Sequence, residues 1–226
     1  MKLTYYGHSC FLVTVQGKRI LFDPFITPNP LAGQVDIKTI KPDYIFISHG
    51  HFDHINDAVA IAQDSGATVI GGWEVYGWLG KQGLKKVQPL NVGGQFKFEF
   101  GTVRCWTAQH SNSLPDGSYG GAACGFSFYT TDGNFYYSGD TALSYDMKLL
   151  TRFEQLDFAV LPIGDALTMG VEDAIELSAW LSIKKVLGVH YDTFELIRID
   201  HQKTTERFAR AGVELYLPPI GDTIEI

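Results

Sequence analysis

The sequence predicts an α/β chain in which two sheets pack face to face with helices outside. Three observations carry this expectation. Strand-like segments are short and frequent, with 24 glycines available to turn them. Segments of helical spacing fall between continuous apolar runs of the kind buried on both faces. The order of elements in the first half also returns in the second: a hairpin, an acidic strand end, a buried strand, a helix.

Leu3–Tyr6, Cys10–Val15 and Arg19–Phe22 read as strands, with Gln16-Gly17-Lys18 as a hairpin turn and Asp23 at the last strand's end. Tyr44-Ile45-Phe46-Ile47 is a buried strand. Ala58, Ile61 and Ala62 mark a helix over 57–65 that Gly66 stops. Thr68–Ile70 is another short strand, and Trp73–Leu79 is helical. Phe96–Phe100 alternates as a half-buried strand, Gly101 turns, and Val103–Ala108 follows. Cys124 precedes a second hairpin, Phe126–Thr130 and Phe135–Ser138 around Asp132-Gly133-Asn134, which ends at Asp140. Phe158–Leu161 and Val186–Val189 are buried strands with a helix, Val171–Leu181, between them. A helix over 203–211, ended by Gly212, and strands Val213–Leu217 and Thr223–Ile226 close the chain. Trp73, Trp78 and Trp180 are expected in the core. The long loops hold Pro28-Asn29-Pro30 and residues 111–122, and loops of that length are often functional.

With 226 residues the chain can form one large core, and no linker divides it, so residues 1–226 are expected to form a single domain. Apolar residues at 45% and charged residues at 19% exclude general disorder. A formal charge of -7, with only Lys85-Lys86 and Lys184-Lys185 as basic pairs, argues against a nucleic-acid partner. Cys10, Cys105 and Cys124 form no CxxC pair and read as small buried residues. The N-terminus runs directly into strand-like sequence, and no stretch approaches the ~18 apolar residues of a membrane span. A cytoplasmic chain acting on a small-molecule substrate, with no membrane partner and with homo-oligomer formation left open, is the expectation.

The strongest signal is Ser48-His49-Gly50-His51-Phe52-Asp53-His54, after a buried strand and before a helix. An extended segment cannot aim His49, His51, Asp53 and His54 at one ion, whereas a tight loop can aim them at two neighbouring ions. Gly50 is expected to let the backbone turn where a side chain would crowd the metals. Of the seven histidines, His110 and His190 also end predicted strands, as does Asp140 beside Gly139. His8, next to Gly7, reads as a donor to substrate or an acid, or as a structural histidine. Asp23 orients a ligand imidazole or caps a turn. Asp165 is a loop cap or a hydrogen-bond partner near the site. Asn112, Thr168 and Tyr191, with Ser111 and Phe194, lie near these residues in sequence as candidate pocket and substrate-binding positions. His201 is expected at the surface, near a helix cap.

This HxHxDH pattern, with His110, Asp140 and His190, resembles the metallo-β-lactamase superfamily over essentially the whole chain. The resemblance implies a four-layer αββα sandwich of two similar halves. It implies that His49, His51 and His110 bind one ion, that Asp53, His54 and His190 bind a second, and that Asp140 lies between them. Within the superfamily the chain is similar to small metal-dependent hydrolases near the ascorbate-6-phosphate lactonase branch. The residues carrying that closer likeness are Tyr6-Gly7-His8-Ser9-Cys10, Phe22-Asp23-Pro24, Leu161-Pro162-Ile163-Gly164-Asp165, Thr168-Met169-Gly170 and Val189-His190-Tyr191. Room for the large inserts of the nuclease members is lacking.

The expected function is therefore binuclear metal-dependent hydrolysis of an ester, lactone or phosphodiester. A metal-bound hydroxide would attack, and Asp53 would orient it. The lactonase likeness tilts the expectation toward a small phosphorylated metabolite. The expected cofactors are two divalent ions, zinc first because the donors are rich in nitrogen, with manganese or iron as alternatives. Two rival readings are a diiron redox protein, although those prefer a carboxylate where this chain has His51, and a metal-dependent binding protein without turnover.

Overall fold

A computed structural model describes residues 1–226. In the first half β1 (Lys2–Gly7), β2 (Cys10–Val15) and β3 (Lys18–Phe22) form a meander. β4 (Tyr44–Phe46), α1 (Phe52–Ile55), α2 (Ala58–Ser65), β5 (Thr68–Gly71), α3 (Trp73–Lys81) and β6 (Val87–Pro89) follow. The second half runs β7 (Gln95–Phe98), β8 (Gly101–Thr107), β9 (Cys124–Thr130), β10 (Gly133–Tyr137), β11 (Phe158–Pro162), α4 (Val171–Leu181), β12 (Lys185–Val189), α5 (His201–Arg210), β13 (Glu214–Tyr216) and β14 (Thr223–Glu225).

The strands form two seven-stranded sheets, ordered β14-β1-β2-β3-β4-β5-β6 and β13-β12-β11-β10-β9-β8-β7. β1–β2 and β2–β3 are antiparallel, and the pairs from β3 to β6 are parallel. β8–β9 and β9–β10 are likewise antiparallel, and the pairs from β10 to β13 are parallel. The repeat thus matches β1–β6 with β8–β13. Each sheet gains one antiparallel edge strand from outside the repeat, β14 against β1 and β7 against β8.

Period-two burial decides which residues meet between the sheets. Phe22 packs edge-on to Phe128 at 5.4 Å, Phe46 to Phe126 at 5.2 Å, and Phe11 to Tyr137 at 5.1 Å. Each such ring contributes about 1.5–3 kcal/mol by burial alone. On the far side of the first sheet, Leu12, Leu21, Ile45 and Val69 pack on Ala58, Ile61 and Ala62 of α2 and Val75 and Leu79 of α3. Ala174, Leu177 and Leu181 of α4 and Phe208 of α5 cover the second sheet. The result is the expected αββα sandwich.

Local signals explain most boundaries. Gly66 ends α2 at φ 74, and the Asp200 side chain caps α5 by accepting from Lys203 N, which starts that helix at His201 rather than near 203. Phe96–Phe100 is shorter than expected, because the chain turns at Glu99-Phe100 and Gly101, at φ 144, already opens β8. The 3-10 segment Tyr145–Arg152 has no counterpart in the sequence reading. Trp78 and Trp180 are half-buried, but Trp73 is 59% exposed: it is the first residue of α3, whose inward face is Val75 and Leu79.

Candidate metal centre

β1, β3 and β4 run in one direction in their sheet, and β8, β10 and β12 in one direction in theirs, so loops after their C-terminal ends collect at one edge of the sandwich. His8 follows β1, Asp23 follows β3, and Ser48–His54 follow β4. From the other sheet, His110 follows β8, Asp140 follows β10 and His190 follows β12. In the repeat, His8 corresponds to His110 and Asp23 to Asp140. The two halves are tied at this edge by His190 N donating to His8 O (3.0 Å), Cys124 N donating to Ser48 O (3.1 Å) and the Tyr137 hydroxyl donating to Asp23 Oδ2 (2.5 Å).

The side chains form two neighbouring groups. His49, His51 and His110 place ligand atoms within 4.8 Å of one another, and so do His8, Asp53, His54 and His190. His49 Nε2 and His51 Nδ1 are 3.0 Å apart. Asp140 Oδ2 lies between the groups, 2.9 Å from His190 Nε2, 3.1 Å from His54 Nε2 and 3.7 Å from His110 Nε2. His54 Nε2, Asp140 Oδ1 and His190 Nδ1 are buried and have no hydrogen-bond partner. Buried polar atoms are rarely left so. His54 Nε2, unpaired, converges there with His190 Nε2 and Asp140 Oδ2, a donor set that fits divalent cations, and its richness in nitrogen suits zinc, iron or manganese.

Buried partners aim these ligands. Asp23, wholly buried, accepts from His54 Nδ1 (2.8 Å), Ser48 N (2.7 Å), Ser48 Oγ (2.5 Å) and Tyr137 OH (2.5 Å), which leaves His54 Nε2 facing the centre. Ser48 Oγ also contacts His49 Nδ1 at 2.9 Å, so His49 likewise presents Nε2. Orientation of ligand imidazoles by such bonds is a general feature of metal sites. His8, 1% exposed, contacts Asp53 Oδ2 through Nε2 (3.2 Å) and Thr193 Oγ1 through Nδ1 (3.1 Å). The carboxylate can only accept, so His8 Nε2 carries the proton and the Thr193 hydroxyl donates to Nδ1. His8, Asp23 and His190 hold left-handed backbone at φ 53, 38 and 55, a strain of about 1–3 kcal/mol each that accompanies functional loops.

Electrostatics keep the donors available. Burial pushes His49, His51 and His110 below the usual histidine range, so they are neutral with free lone pairs. Burial would raise Asp53, but the hydrogen bond from His8 and the charge of His54 outweigh it and hold the carboxylate ionised. Asp140 is likewise held well below its usual value by His190 and His54 against burial. Burial lowers His54, but Asp140 and Asp23 outweigh it and raise it well above the usual range, so a metal ion must displace a proton there.

Other sequence candidates fall elsewhere. Asp165 is exposed, at φ 61, and its side chain accepts from Ala166 N (2.8 Å), so it is a loop cap and not an orienting partner. Asn112 is a structural clamp: Oδ1 accepts from Gly50 N (2.8 Å) and Nδ2 donates to Gly120 O (2.7 Å), which leaves it little capacity for substrate. Thr168 Oγ1 turns to Met169 O (3.3 Å), and Tyr191 is 6% exposed and stacks on Tyr5, so neither lines the cleft. Gly50 is required by the loop itself, since a Cβ there would meet Leu114 Cδ2 at 2.8 Å and Ser113 O at 3.0 Å. His201 is exposed and pairs with Asp192 at 2.6 Å, as a surface cap residue would. Ser111 and Phe194 do line the cleft, a cavity of about 550 Å³ over His51, Asp53, His110, Asp140 and His190. Its walls, Phe52, Leu114, Pro115 and Leu167, were not read from sequence, nor were Ser48, Tyr137 and Thr193 behind the ligands. Phe52 and Ser48 had a local signal, inside the histidine motif, as did Leu114 and Pro115, inside the long 111–122 loop.

The family described as "Beta-lactamase superfamily domain" matches residues 2–190. The chain is 51% identical over 224 residues to a metal-dependent hydrolase of Methylacidiphilum infernorum, covering 99% of each chain. It is similar to the structure of a metallo hydrolase from the archaeon Ignicoccus hospitalis, with TM-score 0.88 and 33% identity over 99% of this chain and 97% of that one. The fold, though little of the sequence, is shared with an isothiocyanate hydrolase from Delia radicum gut bacteria, with TM-score 0.81 and 22% identity over 100% and 99% of the two chains.

Proposed function

We propose that this chain, which belongs to the β-lactamase superfamily and is one of its metal-dependent hydrolases, works through a binuclear centre. His49, His51 and His110 would hold one divalent ion, Asp53, His54 and His190 a second, and Asp140 would serve both. The observation that carries this reading is the position of Asp140 Oδ2, 2.9 Å from His190 Nε2 and 3.7 Å from His110 Nε2, members of different ligand groups. When bound, such ions supply Lewis acidity and acidify water from pKa ~15.7 toward about 7. Zinc is the first choice for five imidazoles and two carboxylates, ahead of manganese or iron.

The chain's own residues do the rest. Asp23 and Ser48 fix the His54 and His49 rings before any ligand arrives, so little orientation is lost on binding. His8 holds Asp53 charged at the cleft floor, where its carboxylate can accept a hydrogen bond from the attacking water. His8, sealed from the cleft, is therefore a positioning residue and not the acid that protonates a leaving group. The substrate is a small molecule with an ester, lactone or phosphodiester bond. Three buried, unpaired cysteines suit a reducing cytoplasm.

The test is metal analysis of protein purified without chelators, followed by a hydrolysis screen on the same sample. About two ions per chain and turnover that is lost on chelation and restored by metal are expected. A filled centre with no turnover of any ester, lactone or phosphodiester would overturn the reading.

A further inference from the structure

The cleft's walls say more about the substrate than its floor does. Every titratable side chain lining it, His51, Asp53, His110, Asp140 and His190, belongs to the metal centre. Around that floor stand Phe52, Leu114, Pro115, Leu167 and Phe194, with the hydroxyls of Ser111 and Ser113. Phe52 is 55% and Leu167 45% exposed, a disposition that costs burial energy unless something covers it. Both are held in place. Phe52 meets Phe25 edge-on at 5.6 Å and Phe194 at 6.5 Å, which forms an aromatic wall. Leu167 follows Asp165 and Ala166, at φ 61 and 52, so a strained turn presents it to the cleft.

Phosphate groups are recognised by arginine forks, lysines or helix N-termini. The lining holds neither a lysine nor an arginine, the helix that begins in it, α1, is a single turn that carries the Asp53 carboxylate, and the loop that supplies Leu114 and Pro115 carries the exposed carboxylate Asp116. Within the centre, Asp23, Asp53 and Asp140 offset most of the charge that two dications bring.

We infer that the cleft takes an uncharged ester or lactone whose apolar or aryl part lies along Phe52, Phe194 and Leu167. This rests on the hydrolase reading and turns it away from phosphorylated substrates. Water adds to the carbonyl carbon, the acyl–oxygen bond breaks, and a proton from water leaves with the alkoxide as the alcohol.

Metal-loaded native protein is assayed with phenyl acetate, butyrate and hexanoate, and with bis(p-nitrophenyl) phosphate. The expected result is a kcat/KM that rises about three- to fourfold per added methylene, with the phosphodiester at least about 100-fold slower. Leu167→Lys, at an exposed position, should lower the ester series and raise phosphodiester turnover about fivefold. A binding arm measures Tm with phenylacetone, an uncharged ketone with nothing to hydrolyse, and with inorganic phosphate. Stabilisation by the ketone alone supports the inference. Stabilisation by phosphate alone, or by neither, overturns it, as does a phosphodiester rate that matches the esters. Ketone binding with no turnover of any compound would instead sink the hydrolase reading while leaving the uncharged occupant in place.

Discussion

Asp23 Oδ2 accepts a hydrogen bond from His54 Nδ1 at 2.8 Å inside a wholly buried pocket, and so turns the other ring nitrogen toward the metal centre. The same carboxylate takes Ser48 and Tyr137, so one residue of the first half aligns two ligand-bearing segments and one strand of the second half.

Asp23→Asn keeps the shape but replaces an acceptor with a donor either on the side facing His54, Tyr137 and Ser48 Oγ or on the side facing Ser48 N. Metal affinity should fall about 10–100-fold, and the metal-free protein should lose about 1–3 kcal/mol, since at least one buried donor loses its partner. Chelator competition and urea unfolding read the two effects. Unchanged affinity would show that Asp23 is only a turn cap.

Thr193→Val removes the hydroxyl that donates to His8 Nδ1 while keeping the side chain's shape. The His8 tautomer is then free, and its hold on Asp53 weakens. Retention of the more weakly held ion on mild chelation should drop several-fold, and His8→Gln, which can still donate to Asp53, should lose less than His8→Ala. If His8→Ala loses an acid limb of the pH–rate profile but no metal, His8 is a proton donor after all.

The metal-free protein should be acid-labile. Burial, with His190 beside it, pushes His8 down to about 4. Unfolded, it would titrate near 6.5. Between these values the unfolded chain binds more protons, so stability is full above about pH 6.5 and falls as pH drops toward 4, by on the order of 3 kcal/mol from His8. Burial gives His49, His51 and His110 the same sign. His54 runs oppositely, and its contribution is lost only as pH rises through its raised value. Urea midpoints of chelator-treated protein at pH 7, 5.5 and 4.5 should fall in that order. A flat series would mean that these rings are hydrated in the metal-free state.

Gly139→Ala should be costly. Gly139 sits at φ 61, and a Cβ there would meet Cys124 O at 2.5 Å and Ser48 Cβ at 2.9 Å. The variant should lose about 2 kcal/mol or more and shift the neighbouring Asp140. Gly50→Ala, which has no positive φ and meets the movable end of Leu114 at 2.8 Å but backbone only at 3.0 Å, should lose less. Equal unfolding midpoints for both would contradict the difference drawn between backbone and side-chain obstruction.

Much of this was legible because metal ligands must be particular residue types at strand ends, and short turns keep them close in sequence. The repeat also pointed to Asp23 and Asp140, since it aligns two hairpins that each end in aspartate. What could not be read are contacts made across the sandwich. Tyr137 on Asp23, Thr193 on His8 and Asn112 on Gly50 join residues 114, 185 and 62 positions apart. Tyr191 follows the ligand His190 and Thr168 follows Leu167 of the cleft wall, but both point elsewhere, because adjacent residues face opposite ways. Trp73 was placed in the core on residue type alone, against its position on the outer face of α3.

The central claim is that one carboxylate, Asp140, serves two metal ions. The measurement is the metal-to-protein ratio of the parent and Asp140→Asn by elemental analysis after identical reconstitution and desalting, with circular dichroism to show that both are folded. The account predicts about two ions per chain for the parent and about one or fewer for the folded variant, because the amide keeps the shape but not the charge that offsets two neighbouring dications. A parent that never exceeds one ion, or a variant that keeps two, would contradict it.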